Sequence, residues 1–247
     1  MIIVGTFTSQ IFSPPKITGL SLWLDAADTR TITASPTLVT QWRDKSTNSF
    51  HVNQLGTTPP STNVNTRNGQ NVITHTGASG ALSNSSNSLF RNVSGFAWYV
   101  VTNTTQEVFG RILHKDVTPT NVANRAGIVS RRIGSSYEGL ARRVNTDTLS
   151  AVASTTISNS SWRLVGQLVN YSLGSNSIRV NGVTENTTTV PAGVSEDIDG
   201  GSITIGANTN LSQFFVGNIA EVVAYSKNLS AAELNSLETY LSQKWAI

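Results

Sequence analysis

The chain has 247 residues and no cysteine, which excludes disulfides, thiolate catalysis and cysteine-held zinc or iron–sulfur centres. Ser, Thr and Asn supply 85 positions while charged residues make up only 13%, so hydroxyls and amides must solvate the surface, a composition that suits strands and turns over long helices. The formal charge of +3 is small, and 38% hydrophobic residues with five Trp and eight Phe are too many for a disordered polymer.

Residues 1–16 read as an extended arm that ends at Pro14 and Pro15, whose fixed φ holds the backbone open. Its apolar side chains Ile2, Ile3, Val4, Phe7, Ile11 and Phe12 are the candidate contacts to a neighbouring chain. The start lacks a basic segment ahead of its short apolar run, so no signal peptide is expected. No apolar stretch reaches the roughly 18 residues a membrane-crossing helix needs, so no membrane partner is expected.

From Gly19 to Asp28, Leu20, Leu22 and Leu24 alternate, predicting a strand that enters a turn at Asp25–Asp28. Residues 29–71 are polar and broken by Thr57–Ser61 and Asn68-Gly69, and few strands are expected there. Short strands then recur at regular spacing: Val72–His75, Phe96–Val101, Val108–Leu113, Gly127–Arg131, Gly139–Val144, Leu149–Ala153, Trp162–Val169, Ser177–Val180, Val183–Asn186 and Ser202–Gly206. Between the eighth and ninth, Asn181-Gly182 supplies the positive φ angles of a type I′ hairpin turn.

The last 34 residues, Phe214–Ile247, predict a closing strand and one amphipathic helix. In the strand, Ile219, Glu221, Val223 and Tyr225 fall on one face and Ala220, Val222 and Ala224 on the other, as burial between two layers requires. Ser230 and Glu233 form a capping box, Leu229 and Leu234 a hydrophobic staple, and Leu234, Leu237, Leu241 and Trp245 a single stripe that can dock on a sheet. The fold class expected is all-β: an antiparallel two-sheet sandwich over residues 17–247 with one short C-terminal helix, preceded by the arm.

Chemical motifs are sparse. Arg125, Arg131, Arg132, Arg142 and Arg143 crowd the middle of the chain, but no nucleic-acid motif accompanies them, so solvated strand faces are expected rather than a nucleic-acid partner. Asp197 and Asp199 lie in a Gly-flanked acidic loop, whose first reading is a solvated turn and whose second is a calcium site built on hard oxygen ligands; calcium is the only cofactor for which the sequence offers ligands. Trp98, Tyr99, Tyr137 and Trp162 are the candidate rings for stacking on sugars, with core packing as the competing role. Asp25, Asp28 and Asp44 at strand ends are expected to bond local backbone N–H groups. His51, His75 and His114 are isolated, and no metalloprotease, nucleophile-elbow or phosphate-loop motif is present.

In this order, Gly19–Asp28 (GLSLWLDAAD), Gln41-Trp42-Arg43-Asp44-Lys45-Ser46, Asn68-Gly69, Phe96–Val101, Ile205-Gly206 and Gly217–Trp245 resemble the concanavalin A-like lectin/glucanase family, specifically the laminin-G-like jelly rolls common in bacterial surface proteins and bacteriophage virions. The resemblance spans residues 17–247 and is weak between 110 and 160. Relatives often carry R-F-D-G after the Asn-Gly, where this chain has Ile73-Thr74-His75-Thr76-Gly77. The family's glucanases carry E-x-D-x-x-E on one strand, the paired carboxylates of retaining hydrolysis; no such triplet occurs here, so no catalytic residue is assigned. The resemblance therefore implies a non-enzymatic structural protein of a bacteriophage virion, a capsid decoration or tail-associated subunit made in a bacterial host's cytoplasm. Its partners would be capsid or tail subunits, further copies in a symmetric array, and a host polysaccharide. A stand-alone carbohydrate-binding module is the alternative, and a divergent glycan-degrading enzyme is the weakest of the three.

Overall fold

The computed structural model describes residues 12–104, 109–118, 121–130, 136–196 and 201–247. In chain order the strands are β1 (Leu20–Asp25), β2 (Ile32–Ser35), β3 (Leu38–Trp42), β4 (Val52–Gly56), β5 (Thr66–Arg67), β6 (Gln70–Asn71), β7 (Ile73–Thr76), β8 (Gly80–Asn84), β9 (Gly95–Thr104), β10 (Gly110–Thr118), β11 (Asn121–Ser130), β12 (Ser136–Ala141), β13 (Ser150–Ile157), β14 (Arg163–Asn170), β15 (Ser175–Val180), β16 (Val183–Thr189), β17 (Ile203–Ile205) and β18 (Val216–Tyr225), and the helix α1 is Ala231–Trp245. A seven-stranded antiparallel sheet runs β1-β18-β9-β14-β15-β16 with β7 also on β18, and a nine-stranded sheet runs β13-β12-β11-β10-β17-β8-β4-β3-β2.

The two sheets enclose one core, in which Leu22, Leu24, Trp42, Phe90, Phe96, Trp98, Val100, Ile112, Ile203 and Ile205 are all buried. Phe90 and Phe96 stack at 3.9 Å and Trp98 meets Phe90 edge-on at 5.1 Å, a geometry that aligns ring edges with ring faces. The seven-stranded sheet is apolar on its outer face too. There Trp23, Ala97, Tyr99, Val101, Val223 and Tyr225 are covered by Leu237, Leu241 and Trp245 of α1, which is why β9 is buried along its whole length.

α1 begins as the sequence predicts. The Ser230 hydroxyl accepts from Glu233 N, and Ser230 N donates to the Glu233 carboxylate. Its far end needs outside help, because the last turn of any helix leaves carbonyls unpaired. The β5–β6 hairpin supplies it: Asn68 Nδ2 and Gln70 Nε2 donate to Lys244 O at 2.9 and 3.0 Å, and Arg67 Nε donates to Trp245 O at 2.7 Å.

The closing strand departs from strict alternation. Ile219 pairs with Thr102 and Glu221 with Val101, a bulge that makes Ala220 the extra residue. Ile219 therefore joins Val222 and Ala224 in the inner core, while Ala220 moves to the helix side with Val223 and Tyr225. Glu221 keeps the helix side, where it is buried. Its Oε1 accepts from Trp23 Nε1 at 2.7 Å and Tyr240 OH at 3.1 Å, and its Oε2 from Trp245 Nε1 and Lys244 Nζ, both at 2.7 Å. Lys244 also reaches Asp25 Oδ1 at 2.7 Å; Lys45 reaches Asp25 Oδ2 at 2.9 Å and Asp28 at 3.1 Å, and its ammonium lies 4.2 Å from the centre of the Trp23 ring. Arg30, hydrogen-bonded to Asp28, holds the Asp28 carboxyl down at about 2 against the opposing effect of burial, with Lys45 assisting. Asp44, the remaining strand-end aspartate, accepts from Trp23 N, Ser46 N and Phe50 N at 2.8, 2.8 and 2.9 Å, as expected of a turn-forming Asp.

The root of the N-terminal segment is part of the fold. Phe12 sits 5.7 Å from the Tyr240 ring, Tyr225 OH donates to Pro14 O at 2.9 Å, and Ile17 is buried. The ring of Phe12 thus packs on the chain's own helix, not on a neighbouring chain, and Phe12, Pro14 and Ile17 are seated on the sandwich. Ile2, Ile3, Val4, Phe7 and Ile11 lie outside the described residues.

Free sheet edges invite foreign strands, and here the edges β13 and β16 are sewn to each other. Glu185 of β16 accepts from the backbone N–H groups of Thr155 and Thr156 at 2.7 and 2.8 Å, and Ser150 Oγ donates to Thr189 O at 2.7 Å. Partial burial works to raise the Glu185 carboxyl, but the hydroxyl and N–H of Thr156 and then the groups of Thr155 outweigh it, so the net shift is downward. A depressed carboxylate stabilises the fold above its unfolded value and loses that contribution as pH falls. Glu185→Gln should cost about 1 kcal/mol at pH 7 and progressively less as the pH is lowered below the ordinary carboxylate range, measured by urea unfolding across that range.

Candidate ligand-binding face

Along β17, Ile203 and Ile205 point into the core, so Thr204 between them faces outward; on β8, Leu82 is core and Ser83 faces outward. By the β10–β17 register, Leu113 pairs with Ile205 and His114 with Thr204, which puts His114 and then Asp116 on the same outer face. A hydrogen-bonded chain crosses three strands there. Ser83 Oγ meets Thr204 Oγ1 at 3.1 Å, Thr204 Oγ1 meets Thr209 Oγ1 at 3.2 Å, Thr209 donates to Asp116 Oδ2, and Asp116 Oδ1 bonds His114 Nε2. His114 Nδ1 faces Arg111 Nη1 at 3.4 Å, and Arg111 Nε donates to Gln213 Oε1 at 2.7 Å. Since a guanidinium only donates, Nδ1 is the acceptor and Nε2 carries the hydrogen given to Asp116.

A cleft of about 520 Å³ opens over the near end of this chain, lined by Asn53, Gln54, Leu55, Ser83, Asn84, Ser85, Ser86, Ser202 and Thr209. Among the described residues, every lining side chain except Leu55 is a neutral hydroxyl or amide, and Asn53, Gln54, Ser85 and Ser86 are exposed. Such a surface can exchange many directional hydrogen bonds with a neutral polyhydroxylated ligand. It offers no nucleophile and base in register: both nitrogens of His114 are committed, and the acid of its pair is satisfied by Thr209. A broader depression of about 900 Å³ lies beside the β13–β16 seam, but there the Ser150 hydroxyl is spent on Thr189 O.

The rings expected to stack on sugars are elsewhere. Trp98, Tyr99 and Tyr137 are buried, and burial removes them as platforms. Trp98 Nε1 donates to Gln167 Oε1 at 2.7 Å inside the core, Tyr99 OH donates to Glu238 Oε1 at 2.8 Å beneath α1, and desolvation pushes the Tyr137 hydroxyl well up. Trp162 is half-buried against the helix-side cluster, with the Arg67 guanidinium 6.0 Å from its ring, on the opposite side of the sandwich from the cleft. Asp197 and Asp199 lie outside the described residues, as do Arg131 and Arg132 and the side chain of Arg125. Arg143 pairs with Asp147 at 3.3 Å, and Arg142 donates to Asn145 O at 3.2 Å. Of the histidines, His51 Nδ1 accepts from Asp44 N at 3.1 Å, while His75 is buried beside Phe215, 5.9 Å between ring centres, and its Nε2 has no partner among the described residues. Sequence reading missed the cleft because its residues come from β4, β8 and the segments flanking β17; runs such as Ser83–Ser86 are indistinguishable from the hydroxyl-rich background.

The model of the concanavalin A-like lectin/glucanases superfamily matches residues 75–235. A search of the curated proteins finds no match. Among solved structures, the receptor-binding domain of botulinum neurotoxin mosaic serotype C/D superposes with a TM-score of 0.60 at 15% identity, over 90% of this chain and 50% of that one. Trypanosoma rangeli sialidase in complex with sialic acid gives 0.61 at 14% identity, over 92% of this chain and 33% of that one, and the binding domain of botulinum neurotoxin serotype G gives 0.61 at 13%, over 90% and 51%. The chain thus spans about half of the toxin domains and a third of the sialidase, and at these identities the likeness is one of fold.

Proposed function

Because the chain belongs to the concanavalin A-like lectin/glucanase superfamily, we propose that it is a non-enzymatic recognition domain whose outer nine-stranded face holds a neutral glycan. The observation that carries the reading is the cleft between β4, β8 and Thr209, whose polar lining among the described residues is neutral and includes no pair of facing carboxylates of the kind that glycoside hydrolysis requires. The setting we propose is a bacteriophage virion, with the domain carried as a decoration or tail-associated subunit and the cleft turned toward host polysaccharide. The sequence resemblance supports that setting.

Retardation of the protein in gels containing neutral polysaccharides tests the reading. The Asn53→Ala/Gln54→Ala double variant should weaken retention about tenfold through two lost hydrogen bonds, with the thermal midpoint unchanged because both side chains are exposed. Retention by no polysaccharide, or release of reducing sugar by the wild type, would overturn it. For the setting, purified virions should contain the chain at a fixed ratio to their capsid protein.

A further inference from the structure

We propose that Lys244 and Asp25 form an intramolecular amide bond, with Glu221 as the group that moves the protons. The Lys244 ammonium lies 2.7 Å from Asp25 Oδ1 and 2.7 Å from Glu221 Oε2. The three side chains are 15%, 6% and 0% exposed, so nucleophile, electrophile and proton carrier share a largely buried pocket bordered by Trp23, Tyr240 and Trp245. Removing water matters twice: it disfavours separated charges and it draws the equilibrium toward condensation. Fixed contact between the reacting groups supplies the high effective concentration that an amine and a carboxyl lack in solution.

The atoms balance without any further reactant. The Lys244 nitrogen, having passed a proton to Glu221, attacks Asp25 Cγ and forms the C–N bond. Asp25 Oδ1 receives that proton from Glu221 and a second from the nitrogen, and departs as water as the C–O bond breaks. One hydrogen stays on the amide nitrogen and Glu221 ends unchanged. Oδ2 becomes the amide oxygen; Lys45, 2.9 Å from it, meets the negative charge that builds there in the tetrahedral intermediate. Burial pushes the Glu221 carboxyl above its ordinary range, against the pull of Lys244, which suits it to accept and return a proton. Lys45 is the weaker nucleophile candidate, since it is 22% exposed, binds Asp28 as well and rests on the Trp23 ring.

The bond would join β1 to the last turn of α1 and close nearly the whole chain into a covalent loop, independently of any ligand in the cleft. Intact mass of the full chain under denaturing conditions tests it. The expected mass is one water below that of the sequence, and a tryptic digest should yield a branched peptide joining the Asp25 and Lys244 segments, uncut after Lys244. Lys244→Arg keeps the cation but forms no amide: it should show the full sequence mass and a lower thermal midpoint. Glu221→Gln should likewise remain at full mass. Folded wild type that stays at full mass after days at neutral pH would overturn the proposal, as would a water loss mapping to a cyclic imide at Asp199-Gly200 or to Lys45.

Discussion

Glu221→Ala is expected to lower folding stability by about 3–5 kcal/mol, the range for removing one partner from a buried charge network. Four donors converge on this carboxylate, and the indole N–H groups of Trp23 and Trp245 have it as their shared acceptor. The cluster holds three acids (Asp25, Asp28, Glu221) and three bases (Arg30, Lys45, Lys244), so the variant leaves one uncompensated positive charge under the helix. Urea unfolding followed by tryptophan fluorescence measures the loss. A change below about 1 kcal/mol, the level of an exposed ion pair, would show that the network does not hold α1 on the sheet.

Acid should destabilise the protein through His75 well before its carboxylates are protonated. Burial lowers the pKa of this imidazole to about 3, because the charged form would sit in the core beside Phe215 with no hydrogen-bond partner on Nε2 among the described residues. The unfolded chain takes up a proton near the ordinary histidine value of about 6.5, so between 6.5 and 3 it binds more protons than the folded one and stability falls with pH. At about 1.4 kcal/mol per pH unit, acidification from 6.5 to 4.5 costs roughly 3 kcal/mol. His75→Phe should flatten that dependence, read from urea midpoints at pH 7 and 4.5. Equal slopes in the two proteins would rule His75 out as the source. Gly206 shares this site: a Cβ there would meet His75 Cε1 and Nδ1 at 2.2 Å, and its φ of +89° is one that glycine adopts freely.

The parts legible in the sequence are those whose causes are local. The capping box at Ser230 and Glu233 formed because both partners lie within one helical turn. The Asn181-Gly182 turn formed with φ of 49° and 82°, which the dipeptide tolerates. Each of the ten strands expected from residue 72 onward has a counterpart within a few residues. Between 29 and 71, however, β2 to β6 went unread, since strands such as Ile32–Ser35 bury one side only partly and alternate over too few residues to stand out. β8 was missed for a related reason: Gly80 and the polar pair Ser83 and Asn84 in Gly80–Asn84 mask the two buried side chains Ala81 and Leu82. The bulge at Ala220 is invisible to a period-2 count, so Ile219 was assigned the wrong face although Glu221, Val223 and Tyr225 were grouped correctly. Trp98 and Tyr99 could be placed in a strand but not at a depth, because depth depends on which layers lie above and below. The cleft was the least legible, being assembled entirely by sheet pairing.

Phe12 and Ile247 sit on the same side of the molecule. Phe12 and Ile247 both pack into the helix-side cluster, whereas Thr204, Ser83 and the cleft lie beyond the far sheet, across the full thickness of the sandwich. The helix-side cluster and the hydroxyl-lined cleft therefore occupy opposite sides of the sandwich, so a contact made at one leaves the other unobstructed.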